Sequence, residues 1–305
     1  MAAYLVRRLF GAVVVLAGVA VAVFLILHLT GDPALVMLPP DASQQDIINF
    51  RHEYGFDKPV VVQFAAFAVH AARGDFGMSI RHGDPAMSLA LERLPATAEL
   101  AFLALVLAVA VAVPAGIVAA QRRESFWDYL VRAVSLIGQA APVYWLGIML
   151  ILVFGVSLGW LPIGGRGGLS HLVLPTLTLG AFTAAKLMRI TRSGMLDVSR
   201  ADYVRTALAK GMAPLSVTLK HTLRNAVLPI VTVIGLELGN LLSGAVITET
   251  IFSWPGIGRL AVQAIYDRDY PVVEAIVVLT AAIFVGLNLL VDLTYAALDP
   301  RVTYG

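Results

Sequence analysis

Glu237 has the least ordinary setting of any acidic residue in this sequence. It stands in the middle of an apolar stretch, 225–248, where it is the only charged side chain. A carboxylate in such a stretch is costly unless it faces protein or water, so it either bonds within a helix bundle or lines a path for a solute. Asn240 and Ser243 follow within two helical turns. These three residues are candidates for helix packing or for lining a pathway, and the sequence leaves both open.

A second candidate is a short basic segment that predicts a helix over 199–211. Asp197 or Ser199 can cap its start, Gly211 is placed to end it, and Pro214 prevents its continuation. A helix of this length is too short to cross a membrane. On composition alone it predicts an anchor that lies along a membrane surface.

The predicted 199–211 helix is amphipathic. Its spacing places Tyr203, Ala207 and Lys210 on one face and Val204 and Leu208 on another. These residues define what a partner or a membrane surface would contact.

Residue patterns for several other chemistries are missing from the sequence. With no cysteine, disulfides, thiolate catalysis and Cys-ligated metals are excluded. The glycine cluster at 164–168 lacks the Lys-Ser/Thr pair of a phosphate-binding loop. There is no H-E-x-x-H motif, and Ser243 lacks the glycines of a nucleophile elbow. The sequence therefore predicts no catalytic residue, no metal ligand and no ATP site of its own.

The composition indicates which elements must position these candidates. Hydrophobic residues make up 59% of the 305 residues and charged residues 14%, whereas soluble domains carry roughly 25% charged residues. Mean hydropathy is +0.83, which excludes soluble enzymes, disordered tails and nucleic-acid-binding modules. The net charge of +2 is too small to imply a polyanionic partner. The fold class expected is an all-α polytopic membrane protein.

Stretches long enough to cross a bilayer predict six transmembrane helices, since a span needs about 20 mostly apolar residues. The stretches are 9–31, 100–121, 133–165, 167–185, 225–248, which Glu237 interrupts, and 275–291, which is slightly short but continues apolar through 295–298. The first could be a secretory signal peptide, but its apolar core is longer than usual and no small-x-small cleavage site follows. We expect it to be kept as a membrane helix.

The distribution of basic residues predicts the orientation. With the N-terminus inside, 14 of the 22 Lys and Arg residues fall on the cytoplasmic side, as expected from the positive-inside rule. Both termini are therefore expected in the cytoplasm. The long segment 30–96 is then external, with short helices over 44–54 and 59–73, and it is either a packed lid or a docking surface for an external partner.

The segment 203–211, followed by 224–229, resembles the cytoplasmic signature of binding-protein-dependent ABC importer permeases. That signature is Glu-Ala-Ala with a Gly four residues after its last Ala, then a downstream Leu-Pro. Here Arg205 and Thr206 replace the Glu and the first Ala, and Leu228-Pro229 lies further from Gly211 than in the general pattern. These departures are similar to the dipeptide/oligopeptide/nickel branch.

Further segments resemble the same branch in the same order, and the set is most similar to its DppB-type subunits. These segments are 31–34, 54–59, 74–77, 93–97, 249–258 and 298–301. The resemblance implies a type I ABC importer permease fold in a bacterial plasma membrane. It also implies residues 1–96 as the first helix plus external segment, 97–297 as the transmembrane domain with five spans, and 298–305 as a cytoplasmic tail.

The resemblance implies a function and a set of partners. This chain would form half of a pathway for short peptides delivered by an external substrate-binding protein, with nickel or another small solute as the alternative. Partners would be a second homologous permease, two ATP-binding subunits and membrane lipid, with no nucleic acid. The chain would bind no cofactor, and its partners would use ATP and Mg. Coupling to them would fall to Tyr203, Arg205, Ala207, Lys210 and Gly211.

Two other classes compete with this interpretation. A secondary transporter would show inverted repeats and helices broken at the midplane, and the first three predicted spans do not resemble the last three. An intramembrane enzyme would need a nucleophile and base that the sequence does not supply.

Overall fold

The computed structural model describes residues 2–29, 38 and 42–298. Within them the regular secondary structure is helical, apart from one isolated β-bridge between Met78 and Pro85. The predicted segment 31–34 and the tail beyond 298 lie outside the described residues. The helices are α1 (Ala2–Leu29), α2 (Gln44–Tyr54), α3 (Val60–Ala72), α4 (Ala86–Gln121), α5 (Phe126–Ala140), α6 (Val143–Leu150), α7 (Leu169–Ser199), α8 (Asp202–Ala209), α9 (Arg224–Ile251), α10 (Ile257–Tyr266) and α11 (Tyr270–Leu298).

The predicted all-α, multi-span fold is confirmed. In the described part of the chain, five helical stretches are long and apolar enough to cross a membrane: Val6–Ile26, Ala86–Gln121, Leu169–Ser199, Pro214–Ile251 and Tyr270–Asp292. A sixth candidate is a bent pair of helices, Phe126–Ala140 and Val143–Ser157. The predicted count of six is reached when this pair is taken as one span.

The predicted third span, 133–165, is not one straight helix. The helix direction bends by 106° between its two halves, α5 and α6. Ala141 has an extended backbone (φ −69°, ψ 125°) and precedes Pro142. A proline ring disfavours the helical conformation of the residue before it, so the chain turns here. After α6 the helix widens into a π-helical stretch, Ile151–Ser157.

One compact unit comprises Ala98–Trp254 and Leu290–Pro300. At its centre α7 packs against α5, α6 and α9. Leu187, Met188 and Ile230 are buried in the core between these helices. A Cβ on Gly116 of α4 would lie 2.6 Å from Thr191 Cβ, so glycine lets the backbones of α4 and α7 approach closely. The candidate segments α8 and 235–244 both belong to this unit.

The other compact unit comprises the chain up to Thr97 together with Pro255–Leu289. Phe24 of α1 contacts Phe64 and Phe67 of α3, with ring centroids 5.3 and 5.8 Å apart. Buried residues of α4, α10 and α11 form its core. The predicted helix over 44–54 is confirmed, because Ser43 and Asp46 form a capping box. The hydrogen bonds from Ser43 lower the pKa of the Asp46 carboxyl.

Candidate functional site

The predicted 199–211 helix is present in shorter form as α8, Asp202–Ala209. Its N-cap is Ala201, which makes no side-chain cap. Capping by Asp197 or Ser199 was a wrong prediction, because both residues belong to the end of α7 and Ser199 Oγ donates to the Leu196 carbonyl. Gly211 has φ +79°, the left-handed conformation expected of a residue that ends a helix.

One face of α8 is buried against the chain that follows it. Val204 and Ala207 are buried, and they form a small core with Val217. Ala207 therefore lies on the inner face, whereas the sequence placed it beside Tyr203. Leu208, expected next to Val204, is 48% exposed. The helical periodicity of this segment was predicted correctly. Which face is buried depends on the tertiary contact with the segment that follows, and the helix's own sequence does not determine it.

The opposite face of α8 is polar and open. Tyr203 is 45% exposed, and Lys210, just beyond the helix, is exposed. Among the described residues, Arg205 pairs only with Asp202 of its own helix, at 3.9 Å, and its side chain is 73% exposed. Such an exposed pair contributes little stability. This face therefore offers an aromatic ring and two cations to a partner.

The support beneath α8 is a π-helical stretch, Val217–Leu223. Gln121 at the end of α4 donates a 2.7 Å hydrogen bond to Thr218 Oγ1 in this stretch. The turn after α8 is closed by Gly211 N–H donating to Leu208 O, and by Met212 N–H donating to Ala207 O. The π-helical stretch is thus joined to α4 by a hydrogen bond and to α8 by the Val217 contact.

A buried ion pair stands near the end of α7. Asp128 is fully buried, and Arg192 donates two hydrogen bonds to it, from Nε at 2.6 Å and from Nη2 at 2.9 Å. The Glu124 N–H donates a third at 3.0 Å. This pair is not evident from the sequence, because its residues are 64 positions apart and nothing local marks Arg192 as other than one more basic residue of a predicted cytoplasmic segment. The available signal was that Asp128 and Glu124 stand among the arginines of 122–132.

We expect Asp128→Asn to loosen the joint between α5 and α7. An amide can accept from Arg192 but supplies no charge, and hydrogen bonds to charged groups contribute about 1.5–3 kcal/mol. The loss should appear as a lower melting temperature of the purified protein. Asp202→Asn, at a 99% exposed side chain, is the matched control and should leave the melting temperature unchanged; an equal fall for both variants would contradict a special role for Asp128.

The second candidate cluster surrounds Glu237 on α9. Glu237 is 2% exposed and accepts hydrogen bonds from Thr183 Oγ1 at 2.9 Å and from Lys186 Nζ at 2.6 Å. A lysine at the end of a predicted span commonly extends to the membrane surface, but Lys186 turns to Glu237 instead. Thr183 and Lys186 lie three residues apart on the face of α7 that meets α9, so both reach the same carboxylate.

Asn240 and Ser243 differ from Glu237 in their exposure. Asn240 is exposed and donates a long 3.4 Å hydrogen bond to Glu237 Oε1. Ser243 is also exposed, and its Oγ donates to the Gly239 carbonyl of its own helix. The structure thus places Glu237 in a bonded network and the other two on an open side of α9. In the described ranges, no three His, Asp or Glu side chains gather in a way that could hold a metal ion.

The glycine cluster at 164–168 is a packed loop. The Gly165 N–H donates to the Phe252 carbonyl at 2.7 Å. Arg166 pairs with Glu99 at 2.6 Å and stands over the Trp254 ring, 5.8 Å from its centroid. Phe252 and Trp254 are fully buried, so the loop fastens the end of α9.

Comparison with known proteins agrees with this architecture. Residues 112–304 match the family described as binding-protein-dependent transport system inner membrane component, and residues 1–101 match its N-terminal family. Among solved structures, the MetNI methionine ABC transporter in an inward-facing conformation superposes with a TM-score of 0.60, covering 70% of this chain and 97% of that chain at 18% identity. An amino acid ABC transporter gives a TM-score of 0.54 at 17% identity, covering 69% and 94%. These structures share the fold of type I importer permeases.

Relatives of known name align with nearly the whole chain. A probable peptide ABC transporter permease of Sinorhizobium fredii is 42% identical, and the dipeptide transport system permease DppB of Alkalihalophilus pseudofirmus is 41% identical, each over 100% of both chains. The glutathione transport system permease GsiC of Escherichia coli is 42% identical over 99% of both. With its apolar helices and its match over 112–304, the chain belongs to the binding-protein-dependent transport system inner membrane components, as a multi-pass permease subunit of an ABC importer.

Proposed function

We propose that this chain forms half of the translocation pathway of an ATP-driven importer for short peptides. The family works with ATPase and substrate-binding components. The relatives aligned over their full length are named for peptide, dipeptide and glutathione transport. All three names denote peptides, which supports the substrate class over nickel or another small solute.

The observation that carries the coupling role is the open face of α8. Tyr203, Arg205 and Lys210 are exposed, while Val204 and Ala207 fix the other face to the protein. A short helix held firmly on one side and open on the other can pass a displacement from a partner to the spans behind it. Ala207 and Gly211 would act indirectly, by setting where the helix lies and ends.

The proposal extends to the assembly. A second homologous permease completes the pathway. Two ATP-binding subunits use ATP and Mg, and one of them binds the α8 face in a groove. An external binding protein delivers the peptide. Both termini and α8 lie in the cytoplasm, with 97–297 as the transmembrane domain. The exposed Asn240 and Ser243 of α9 line the pathway or meet the second permease.

Purified alone, this chain should neither bind nor hydrolyse ATP, because its sequence has no phosphate-binding loop. Co-expressed with its partners, it should co-purify with a second permease and the ATPase subunits. ATP hydrolysis by this polypeptide alone would contradict the proposal.

In reconstituted vesicles with the binding protein outside, a labelled dipeptide should be taken up; uptake of Ni²⁺ without dipeptide uptake would establish the alternative.

A further inference from the structure

A cavity of about 610 Å³ lies in the unit that contains α1, α2, α3 and α11. Its volume falls in the range of sites for small organic molecules. The walls are mostly aromatic and apolar, with rings from Phe24, Phe50, Phe56, Phe67, Phe76 and Tyr270. None of the relatives' names or the features described above assigns it a ligand.

Two opposite charges line this cavity. Glu274 stands in the second turn of α11 and is half-buried, and Lys58 stands just before α3 and is exposed. They do not pair with each other, and neither side chain makes a hydrogen bond or ion pair with the part of the chain that the structure describes. Lys58 folds over the turn before it, since its Nζ lies 3.6 Å from where a Cβ on Gly55 would be.

Apart from Tyr270, whose hydroxyl also lines the cavity, the other polar side chains already have partners. Gln63 donates to the carbonyls of Phe56 and Lys58. His70 Nδ1 lies 3.1 Å from Asp75 Oδ2. Ser79 donates to Asp269. The groups left for a ligand are therefore the half-buried Glu274 carboxylate, the exposed Lys58 ammonium, the Tyr270 hydroxyl and the ring surfaces.

We propose that this cavity binds a zwitterionic molecule with an apolar body. Its primary ammonium pairs with Glu274, its acid group pairs with Lys58, and its apolar part packs against the phenylalanine rings. An ammonium beside a carboxylate in a poorly hydrated site forms a strong, charge-assisted hydrogen bond, and aromatic faces also attract cations. An aminophospholipid of the bilayer and a free apolar dipeptide both present this chemistry.

This inference does not rest on the proposed transport function, because none of the lining residues belongs to α8 or to the Glu237 cluster. The test uses the whole chain in its purified complex. Two probes are offered, dioleoylphosphatidylethanolamine in nanodiscs and the dipeptide phenylalanyl-leucine in solution, each beside its N-acetylated form. Native mass spectrometry counts the bound lipid, and equilibrium dialysis measures the bound dipeptide.

At least one probe should bind the wild-type protein, and N-acetylation should weaken its binding about tenfold or more, as loss of a charge-assisted bond implies. Glu274→Gln and Lys58→Gln should each weaken binding of the same probe to a similar degree. Glu92→Gln, the same change at an exposed carboxylate that does not line the cavity, should not.

The probe that binds identifies the source, lipid or free dipeptide. Failure of both probes to bind the wild-type protein would overturn the proposal. Equal binding of acetylated and free forms, or wild-type binding by both Gln variants, would overturn it as well. If Glu274→Gln fails to fold, the acetylated probes on the wild-type protein and the variant at the exposed Lys58 still decide the matter.

Discussion

Lys186→Met should reduce the yield of assembled complex far more than Glu237→Gln does. Removal of the lysine leaves the carboxylate of Glu237, 2% exposed, without its countercharge. Breaking a buried pair in this way costs about 3–5 kcal/mol. Removal of the acid leaves Lys186, whose side chain is 33% exposed and can turn towards water or lipid headgroups. The measurement is the amount of complex recovered by size-exclusion chromatography.

The double variant Lys186→Met/Glu237→Gln should recover most of the lost complex, because no unpaired charge remains. Lys220→Met, the same change at an exposed lysine, is the control and should assemble like the wild type. Uptake then separates the two roles considered for Glu237: a double variant that assembles but does not transport assigns it to the pathway, and one that does both assigns it to packing. Equal yields for the two single variants would refute the asymmetry.

Gly211→Val should abolish coupled transport while leaving the protein in the membrane at normal abundance. Gly211 has φ +79°, which a β-branched side chain adopts only with strain. The turn after α8 must then change, and the Tyr203, Arg205 and Lys210 side chains shift with it. The six predicted spans do not depend on this turn for their burial. The measurements are binding-protein-stimulated ATP hydrolysis and peptide uptake in reconstituted vesicles.

Gly211→Asn is the matched control, since asparagine tolerates the left-handed conformation far better than valine. It should retain much of the activity. A Gly211→Val protein with normal coupled transport would show that α8 is only an interfacial anchor. Equal loss in the Val and Asn variants would show that glycine's small size, and not its backbone freedom, is what this position requires.

Features with a local cause could be predicted from the sequence. The capped helix at Ser43, the left-handed Gly211 and the apolar stretches of the spans each follow from a few neighbouring residues. The bend at Pro142 could have been predicted, because a proline disfavours the helical conformation of the residue before it. The uninterrupted apolar stretch instead suggested one continuous span.

Features that join distant segments could not be predicted in the same way. Lys186 and Glu237 are 51 positions apart, and Asp128 and Arg192 are 64 apart. A lysine at the end of a predicted span is expected to extend to the membrane surface, unless the acid on the facing helix is already known. The buried face of α8 was predicted wrongly for the same reason, since that face packs against Val217, which lies outside the helix.

The bend between α5 and α6 also affects how the protein matches the thickness of its bilayer. Beyond the bend, the third span has eight α-helical and seven π-helical residues, Val143–Leu150 and Ile151–Ser157. Such a helix is at most about 22 Å long, against a hydrocarbon core of about 30 Å. The lipid beside it must thin, or α5 must fill the missing depth, at a cost of fractions of a kcal/mol per Å. We therefore expect hydrophobic mismatch to make the third span sensitive to acyl chain length.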